Sequence, residues 1–239
     1  MAELNDTSLI NDANLVAYYR FSAGALTTDT KASYTLTNTG SIAESTSGKF
    51  AGCANFPGGT GKSLNWTTDN MGISNGAFSL VCWVKLNAET TSVDYMFASK
   101  DSNVVFVTSR IPYEYNGGTI RLGFDRVKQG VEAQGGYYTV SLGTTTWHHL
   151  AHTYDGSNIR GYLDGVLRVG PTAASGNGSS GGGNGLWIGA DAGNGNVANA
   201  LIDDFAVFSD ALTAAEVTTL YEDAAVAGKA PFSLNSKYW

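Results

Sequence analysis

The three histidines of the chain lie close together, and such clusters can bind metal ions or transfer protons. They are His148, His149 and His152. If this segment is a β-strand, His148 and His152 lie about 13 Å apart, because four residues rise roughly 3.3 Å each. One ion cannot be shared over that distance. His149 would point to the opposite face, so we interpret all three as strand residues without a catalytic or metal-binding role.

Carboxylates could support glycoside hydrolysis, which needs two carboxyl groups about 5–9.5 Å apart. The seven glutamates of the chain are scattered, and none shares a predicted strand with a second one. Asp203 and Asp204 are adjacent, and adjacent side chains of a regular strand point to opposite faces. They would then not flank one substrate bond. We therefore predict no catalytic residues and no enzymatic activity.

The segment Trp147 to Leu167 predicts the elements that position these residues. Two alternating strands are joined by Asp155-Gly156, and Asp164-Gly165 turns the chain again. Both dipeptides suit primed hairpin turns, which need positive φ angles. A dozen such short strands follow one another between Leu15 and Phe208, and a meander of this kind needs a second layer to bury its apolar face. The expected fold is all-β, a two-sheet antiparallel β-sandwich.

One short helix is expected near the C-terminus. Thr213 and Glu216 have the spacing of a capping box, and apolar residues follow at helical intervals. We expect this amphipathic helix to pack on the sandwich through its apolar stripe.

Composition limits the partners and the compartment. The chain has 239 residues, 30 glycines and a net charge of -7, so nucleic acids and acidic membrane surfaces are poor partners. No segment predicts a membrane span or a signal peptide, and a soluble protein is expected. Cys53 and Cys82 are the only cysteines. We expect two buried thiols, although a disulfide remains the alternative.

Three segments resemble the laminin-G-like, concanavalin A-like jelly-roll domains found in bacterial and phage proteins. They are LVAYYRF at Leu15–Phe21, WHHLAHTYDGSNIRGYLDG at Trp147–Gly165, and LIDDFAVFSDALTAAEVTTLY at Leu201–Tyr221. The resemblance covers residues 14–223, which leaves an N-terminal arm (1–13) and a C-terminal tail (224–239). It implies two curved antiparallel sheets stacked face to face. It implies no activity, because this fold serves lectins, glycanases and structural modules.

The resemblance also implies a structural Ca²⁺ site between the last strand and the first strands. Calcium needs several oxygen ligands, and Asp203 or Asp204 together with Asp29 would supply carboxylates. Ser22-Ala23 stands where relatives commonly have an acidic residue, which weakens this hypothesis. The alternative is that these aspartates cap loops without a metal.

Carbohydrate binding would use aromatic and polar side chains on an exposed face or rim. Strand alternation predicts a mixed aromatic and basic patch on one exposed sheet, formed by Arg121, Tyr137, Arg160 and Tyr162. Tyr113 and Tyr115 are further candidates at the rim. The alternative is an ordinary solvent-exposed sheet face, where tyrosine is common.

Two non-enzymatic functions fit these observations. The first is a virion-surface structural or adhesive protein, a decoration or tail-associated component, whose C-terminal tail with Phe232 and Trp239 packs against another subunit. The second is a free lectin-like module that binds a glycan. A glycan hydrolase is the disfavoured third.

Overall fold

The computed structural model describes residues 3–4, 7–69, 71–73, 76–100, 107–127, 133–174 and 185–225. In this part of the chain the structure is built from short β-strands and one α-helix. The strands are β1 (Leu15–Tyr19), β2 (Thr37–Thr39), β3 (Ala43–Ser45), β4 (Cys53–Gly59), β5 (Ser63–Trp66), β6 (Phe78–Leu86), β7 (Val93–Lys100), β8 (Val107–Asn116), β9 (Thr119–Val127), β10 (Ala133–Thr139), β11 (His148–Tyr154), β12 (Asn158–Leu163), β13 (Val166–Ala173), β14 (Gly185–Ile188) and β15 (Val197–Phe208). The helix α1 spans Ala214–Ala225.

The strands form two antiparallel layers. Sheet I has the order β13-β12-β11-β6-β15, and the other edge of β15 pairs with β1 and β4, with β3 beside β4. Sheet II has the order β10-β9-β8-β7-β14-β5-β2. A single parallel bridge between Val197 of β15 and Tyr95 of β7 connects them. The predicted all-β jelly-roll sandwich is confirmed.

The main hydrophobic core lies between the two sheets. Phe97 of sheet II stacks on Phe205 of sheet I, with ring centroids 5.6 Å apart, and Phe124 of sheet II lies edge-on to His152 of sheet I. At Gly161 the layers come so close that a Cβ atom would lie 2.1 Å from Cδ2 of Phe124. These contacts show that the sheets pack face to face.

A second apolar cluster covers the outer face of sheet I. Leu4 and Leu9 from the N-terminal segment pack there together with Val217 and Leu220 of α1. The predicted capping box is present, since the amide of Glu216 donates to Oγ1 of Thr213 (3.3 Å) and the amide of Thr213 donates to Oε2 of Glu216 (2.7 Å). The described part of the N-terminal arm therefore belongs to the packed domain.

Two further expectations concern the thiols and the turns. Cys53 and Cys82 are both buried and unbonded, as expected.

At Asp164-Gly165 both φ angles are positive (52° and 74°), which confirms a primed turn, but at Asp155-Gly156 only Gly156 has a positive φ (91°). The loop there is longer than a two-residue turn, since β11 ends at Tyr154 and β12 begins at Asn158. The Asp155 carboxylate stabilises it by accepting hydrogen bonds from the amides of Ser157 and Asn158. None of the helices in the described ranges is long and apolar enough to cross a bilayer.

Candidate functional site

The outer face of sheet II carries a cluster of aromatic and charged side chains on β7 to β10. Residues of these strands alternate between the core and this outer face: Ile111, Leu122 and Phe124 point inward, so their neighbours point outward. We call the outward group the outer patch, and it consists of Tyr95, Arg110, Glu114, Arg121, Asp125 and Tyr137. Cross-strand register places Arg110 opposite Asp125 and Glu114 opposite Arg121.

The ring of Tyr137 is the most exposed aromatic surface of the outer patch. Tyr137 lies opposite Gly123, where a Cβ atom would lie 2.7 Å from its Cε1 and 2.8 Å from Cγ of Pro112. Glycine is thus required beneath the ring. The Arg121 guanidinium lies 3.9 Å from the ring centroid, a cation–π contact. With 37% of its surface exposed, Tyr137 is held in place and still reachable from solvent.

Asp125 forms the polar base of the outer patch. Its Oδ2 accepts hydrogen bonds from Nε of Arg110 (3.0 Å) and from the hydroxyl of Tyr137 (3.1 Å). Nη1 of Arg110 donates to the hydroxyl of Tyr95 (3.2 Å). Burial raises the pKa of Asp125, although the Arg110 guanidinium opposes this shift. Burial and the Asp125 charge together raise the pKa of Tyr137 to about 12, so its hydroxyl stays a hydrogen-bond donor at neutral pH.

The second guanidinium of the outer patch is also paired. Nε of Arg121 donates to Oε1 of Glu114 (2.6 Å), and the two side chains form an ion pair. The Glu114 side chain is 12% exposed, whereas the Arg121 side chain is 31% exposed. The Arg121 side chain is therefore the more exposed member of this ion pair.

The predicted four-residue patch is wrong as a single surface. The structure brings Arg121 and Tyr137 together on sheet II, but Arg160 and Tyr162 lie on β12 of sheet I. Tyr162 is buried in the cluster beneath α1, and Arg160 pairs with Asp155, with Nη1 2.6 Å from Oδ2. Alternation correctly separates the two faces of each strand, but it does not reveal which layer a strand joins.

The two rim candidates have different positions. Tyr113 is fully buried; its hydroxyl donates to Oε2 of Glu89 (2.5 Å) and accepts from the amide of Leu142 (3.0 Å). Its predicted place at the rim is wrong, because its parity on β8 points it into the core. Tyr115 is 49% exposed. The sequence reasoning missed Tyr95, Arg110, Glu114 and Asp125, although alternation with Ile111 and Phe124 could have indicated Arg110 and Asp125.

The three histidines lie on β11. His152 and His149 are buried, and burial lowers their pKa values to about 3 and about 4. His148 is partly exposed, and its Nδ1 lies 2.8 Å from Oδ2 of Asp164; this contact raises its pKa. In the described ranges, no group of three or more His, Cys, Asp or Glu side chains is arranged to hold a metal ion.

Asp203 and Asp204 occupy a β-bulge, and the prediction that they point to opposite faces is wrong. The register of β15 shifts between Asp203 and Ala206, and Asp204 has a φ of 53°. Ile202 and Phe205 on either side both lie in the main core, so the bulge turns both carboxylates away from it. Burial and their mutual repulsion raise the pKa of Asp203 to about 8, and burial raises that of Asp204 to about 7.

The hydrogen-bond donors around the three aspartates do not fit a shared calcium ion. Asp29 accepts four backbone amides, from Tyr18, Lys31, Ser33 and Tyr34. Asp203 accepts the amides of Phe50 and Asp204, whereas Asp204 accepts the amide of Leu4 and the hydroxyl of Tyr18. Each carboxylate already anchors backbone or side-chain groups of the protein, and N–H and O–H donors occupy the oxygens that a cation would need.

Chelation tests whether calcium binds at these carboxylates. Because amide donors already satisfy these carboxylates, we expect the melting temperature to be the same in excess EDTA and in millimolar Ca²⁺. Differential scanning calorimetry at constant ionic strength measures this. A melting temperature several degrees lower in EDTA, restored by Ca²⁺ but not by Mg²⁺, would establish a calcium site that these contacts do not explain.

Comparison with known protein families identifies a matching superfamily. The family model described as the concanavalin A-like lectin/glucanases superfamily matches residues 58–218. A comparison with curated proteins finds no match.

Several solved structures share the fold. Domain 4 of AbnA, an extracellular arabinanase from Geobacillus stearothermophilus solved in complex with arabinotriose, is 23% identical, with a TM-score of 0.63 over 87% of this chain and 98% of that domain. The binding domain of botulinum neurotoxin DC in complex with SialylT is 15% identical, with a TM-score of 0.67 over 89% of this chain and 52% of the other. The sialidase of Trypanosoma rangeli is 16% identical, with a TM-score of 0.60; the match covers 88% of this chain and 33% of the sialidase.

Proposed function

The chain belongs to the concanavalin A-like lectin/glucanase superfamily, and on that basis we propose that it is a non-enzymatic carbohydrate-binding module whose ligand lies on the outer patch of sheet II. The observation that carries this proposal is the exposed ring of Tyr137, held over Gly123 beside two paired guanidinium groups.

The chemistry of the outer patch suits sugar rings. A sugar offers an apolar C–H face, which packs on an aromatic ring, and a rim of hydroxyl groups that both donate and accept hydrogen bonds. Tyr137 and Tyr95 supply aromatic surface, while Arg110 and Arg121 supply fixed donors. The glycan complexes of the arabinanase domain and the neurotoxin binding domain support a glycan as the ligand class.

The spacing of the carboxylates supports binding without hydrolysis. Glu114 and Arg110 lie four residues apart on β8, and Asp125 lies opposite Arg110. The backbones of Glu114 and Asp125 are thus about 13 Å apart along the strands. Each carboxylate is bound to a different guanidinium group, so neither is free to act as a general acid.

A glycan array with the full chain tests the proposal. We expect reproducible binding by the unmodified chain and at least a tenfold loss for Tyr137→Ala, because the substitution removes the aromatic surface. Two matched controls lie elsewhere: Tyr115→Ala removes an exposed tyrosine at the end of β8, and Arg160→Ala removes a guanidinium from sheet I. Both should bind as the unmodified chain does.

The outcomes separate the alternatives. If Tyr115→Ala lost glycan binding at least tenfold and Tyr137→Ala kept it, the binding site would lie at the rim of the sandwich instead of on the outer patch. No binding to any glycan by a folded chain would contradict the proposal.

Display on a larger particle, such as a virion surface, is a second proposal. Its support is geometric: the N-terminal segment and α1 both pack on sheet I, so attachment on that side would leave the outer patch free. The C-terminal tail with Phe232 and Trp239 lies outside the described residues. Deleting residues 226–239 tests this proposal: a truncation with the same oligomeric state and glycan binding as the full chain would argue against assembly through the tail, whereas loss of oligomers would support it.

A further inference from the structure

The charges of the outer patch restrict the class of glycan that can bind there, and this inference rests on the proposed function. Each guanidinium already has a carboxylate: Arg110 pairs with Asp125, and Arg121 pairs with Glu114. The four charges cancel. Asp191 adds a negative charge near Tyr95, where it contributes to the raised pKa of that hydroxyl.

A ligand carboxylate would meet an unfavourable field at this surface. To use an N–H group of Arg110 that the ion pair leaves free, it would have to lie beside the Asp125 carboxylate, whose charge already compensates the guanidinium and whose side chain is 2% exposed. To pair with Arg121 it would have to approach Glu114. The net charge of -7 on the chain adds a weaker repulsion at long range.

Hydroxyl groups do not meet this obstacle. Each can accept from a guanidinium N–H that the ion pair leaves unused and donate to a carboxylate oxygen. The ion pairs then remain intact, and Tyr137 stays fixed by its hydrogen bond to Asp125. An array of paired charges therefore suits a neutral, hydroxyl-rich ligand.

We infer that the outer patch selects uncharged glycans and rejects the same glycans when they carry a carboxylate, as in sialic or uronic acids. Among the structural neighbours, this places the ligand with the neutral arabinotriose of the arabinanase domain and apart from sialylated glycans.

Matched glycan pairs test the inference. Galactose-terminated glycans with and without terminal sialic acid, and a neutral hexose oligomer beside the corresponding hexuronic acid oligomer, are presented on one array. We expect at least tenfold weaker binding to each acidic member than to its neutral partner at low ionic strength, where charge effects are largest.

Glu114→Gln supplies the matched variant. It keeps the shape of the side chain but removes the charge that Arg121 pairs with, so the difference between acidic and neutral glycans should shrink at least threefold. A melting temperature close to that of the unmodified chain confirms that the variant is folded. Asp155→Asn, on sheet I, should leave the selectivity unchanged.

Each outcome decides between the two proposals. Equal or stronger binding of the acidic members would overturn the inference while leaving carbohydrate binding intact. Binding of neutral glycans that is insensitive to Tyr137→Ala would contradict both proposals for this surface. Selectivity that Glu114→Gln does not change would also overturn the inference, because the paired charges would not be its cause.

Discussion

Raising the pH from 6.5 to 9 is expected to lower the free energy of unfolding by on the order of 2 kcal/mol. The cause is the pair of buried carboxylates in the bulge of β15. The pKa of Asp203 is raised to about 8 and that of Asp204 to about 7 in the folded protein. In the unfolded chain both titrate near 3.9.

The sign follows from the protons bound in each state. Above pH 4 the folded protein holds protons on these carboxylates that the unfolded chain has released, so stability falls as the pH rises through the folded pKa values. His149 and His152 act in the opposite direction up to about pH 7, because their folded pKa values are about 4 and about 3, whereas imidazoles of the unfolded chain titrate near 6.5. The two effects oppose each other between about pH 4 and 7, and the net loss of stability is largest above that range.

Asp204→Asn isolates the contribution of the carboxylate pair. Asparagine tolerates a positive φ; its carbonyl can accept from the amide of Leu4, and its amide can donate to the hydroxyl of Tyr18. The charge and its repulsion of Asp203 disappear while Asp203 stays buried, so the loss between pH 6.5 and 9 should fall by about a third or more. Urea unfolding at a series of pH values measures this.

Asp155→Asn is the control for this experiment. Its hydrogen bonds, chiefly that from Arg160, lower the pKa of Asp155 to about 2, so it is ionised throughout this pH range in both states. The variant should keep the full pH dependence. An unmodified chain whose stability does not change between pH 6.5 and 9 would show that the aspartates are ionised at little cost.

Gly161→Val should destabilise the protein by about 3 kcal/mol. Gly161 lies in the middle of β12, where a Cβ atom would meet Cδ2 of Phe124 at 2.1 Å and Cγ at 2.3 Å. Valine favours strands, so any loss must come from the contact between the layers. Urea unfolding, monitored by tryptophan fluorescence, measures the change in the free energy of unfolding. We expect an unchanged m-value.

Two variants make this result specific. Gly76→Val is the control, because nothing lies within 4 Å of a Cβ atom there, and we expect a change below about 0.5 kcal/mol. Combining Gly161→Val with Phe124→Leu should cost less than the sum of the single changes, since the smaller side chain relieves the clash. Strict additivity would mean that Gly161 and Phe124 are not in contact.

The sequence predicted local structure well, because alternation and turn chemistry are local properties. The segment Trp147–Leu167 folds into β11, β12 and the start of β13, with the predicted primed turn at Asp164-Gly165. The capping box of α1 was likewise predictable from two residues. The outward position of Arg121 on β9 was predicted from alternation alone.

The site was only partly predictable, because it depends on which strands become neighbours. Arg121 and Arg160 have equivalent patterns in sequence, yet β9 and β12 join different layers. Asp203-Asp204 shows the second limit: a bulge inserts one residue, reverses the parity of the strand and turns both carboxylates to one side. The segment Ile-Asp-Asp-Phe has no local pattern that predicts the inserted residue. The position of the bulge depends on how β15 pairs with β6 and β1.

The two buried thiols can report local opening of the sandwich. Cys53 and Cys82 are the only cysteines, both are inaccessible, and burial raises the pKa of Cys53 to about 11 and shifts Cys82 in the same direction. A thiol reagent reacts with the thiolate, so labelling must wait until β4 or β6 separates from its neighbours. Mass spectrometry of the labelled chain would then measure the labelled fraction at Cys53 and at Cys82 separately. These fractions report how often β4 and β6 open under native conditions, without any denaturant.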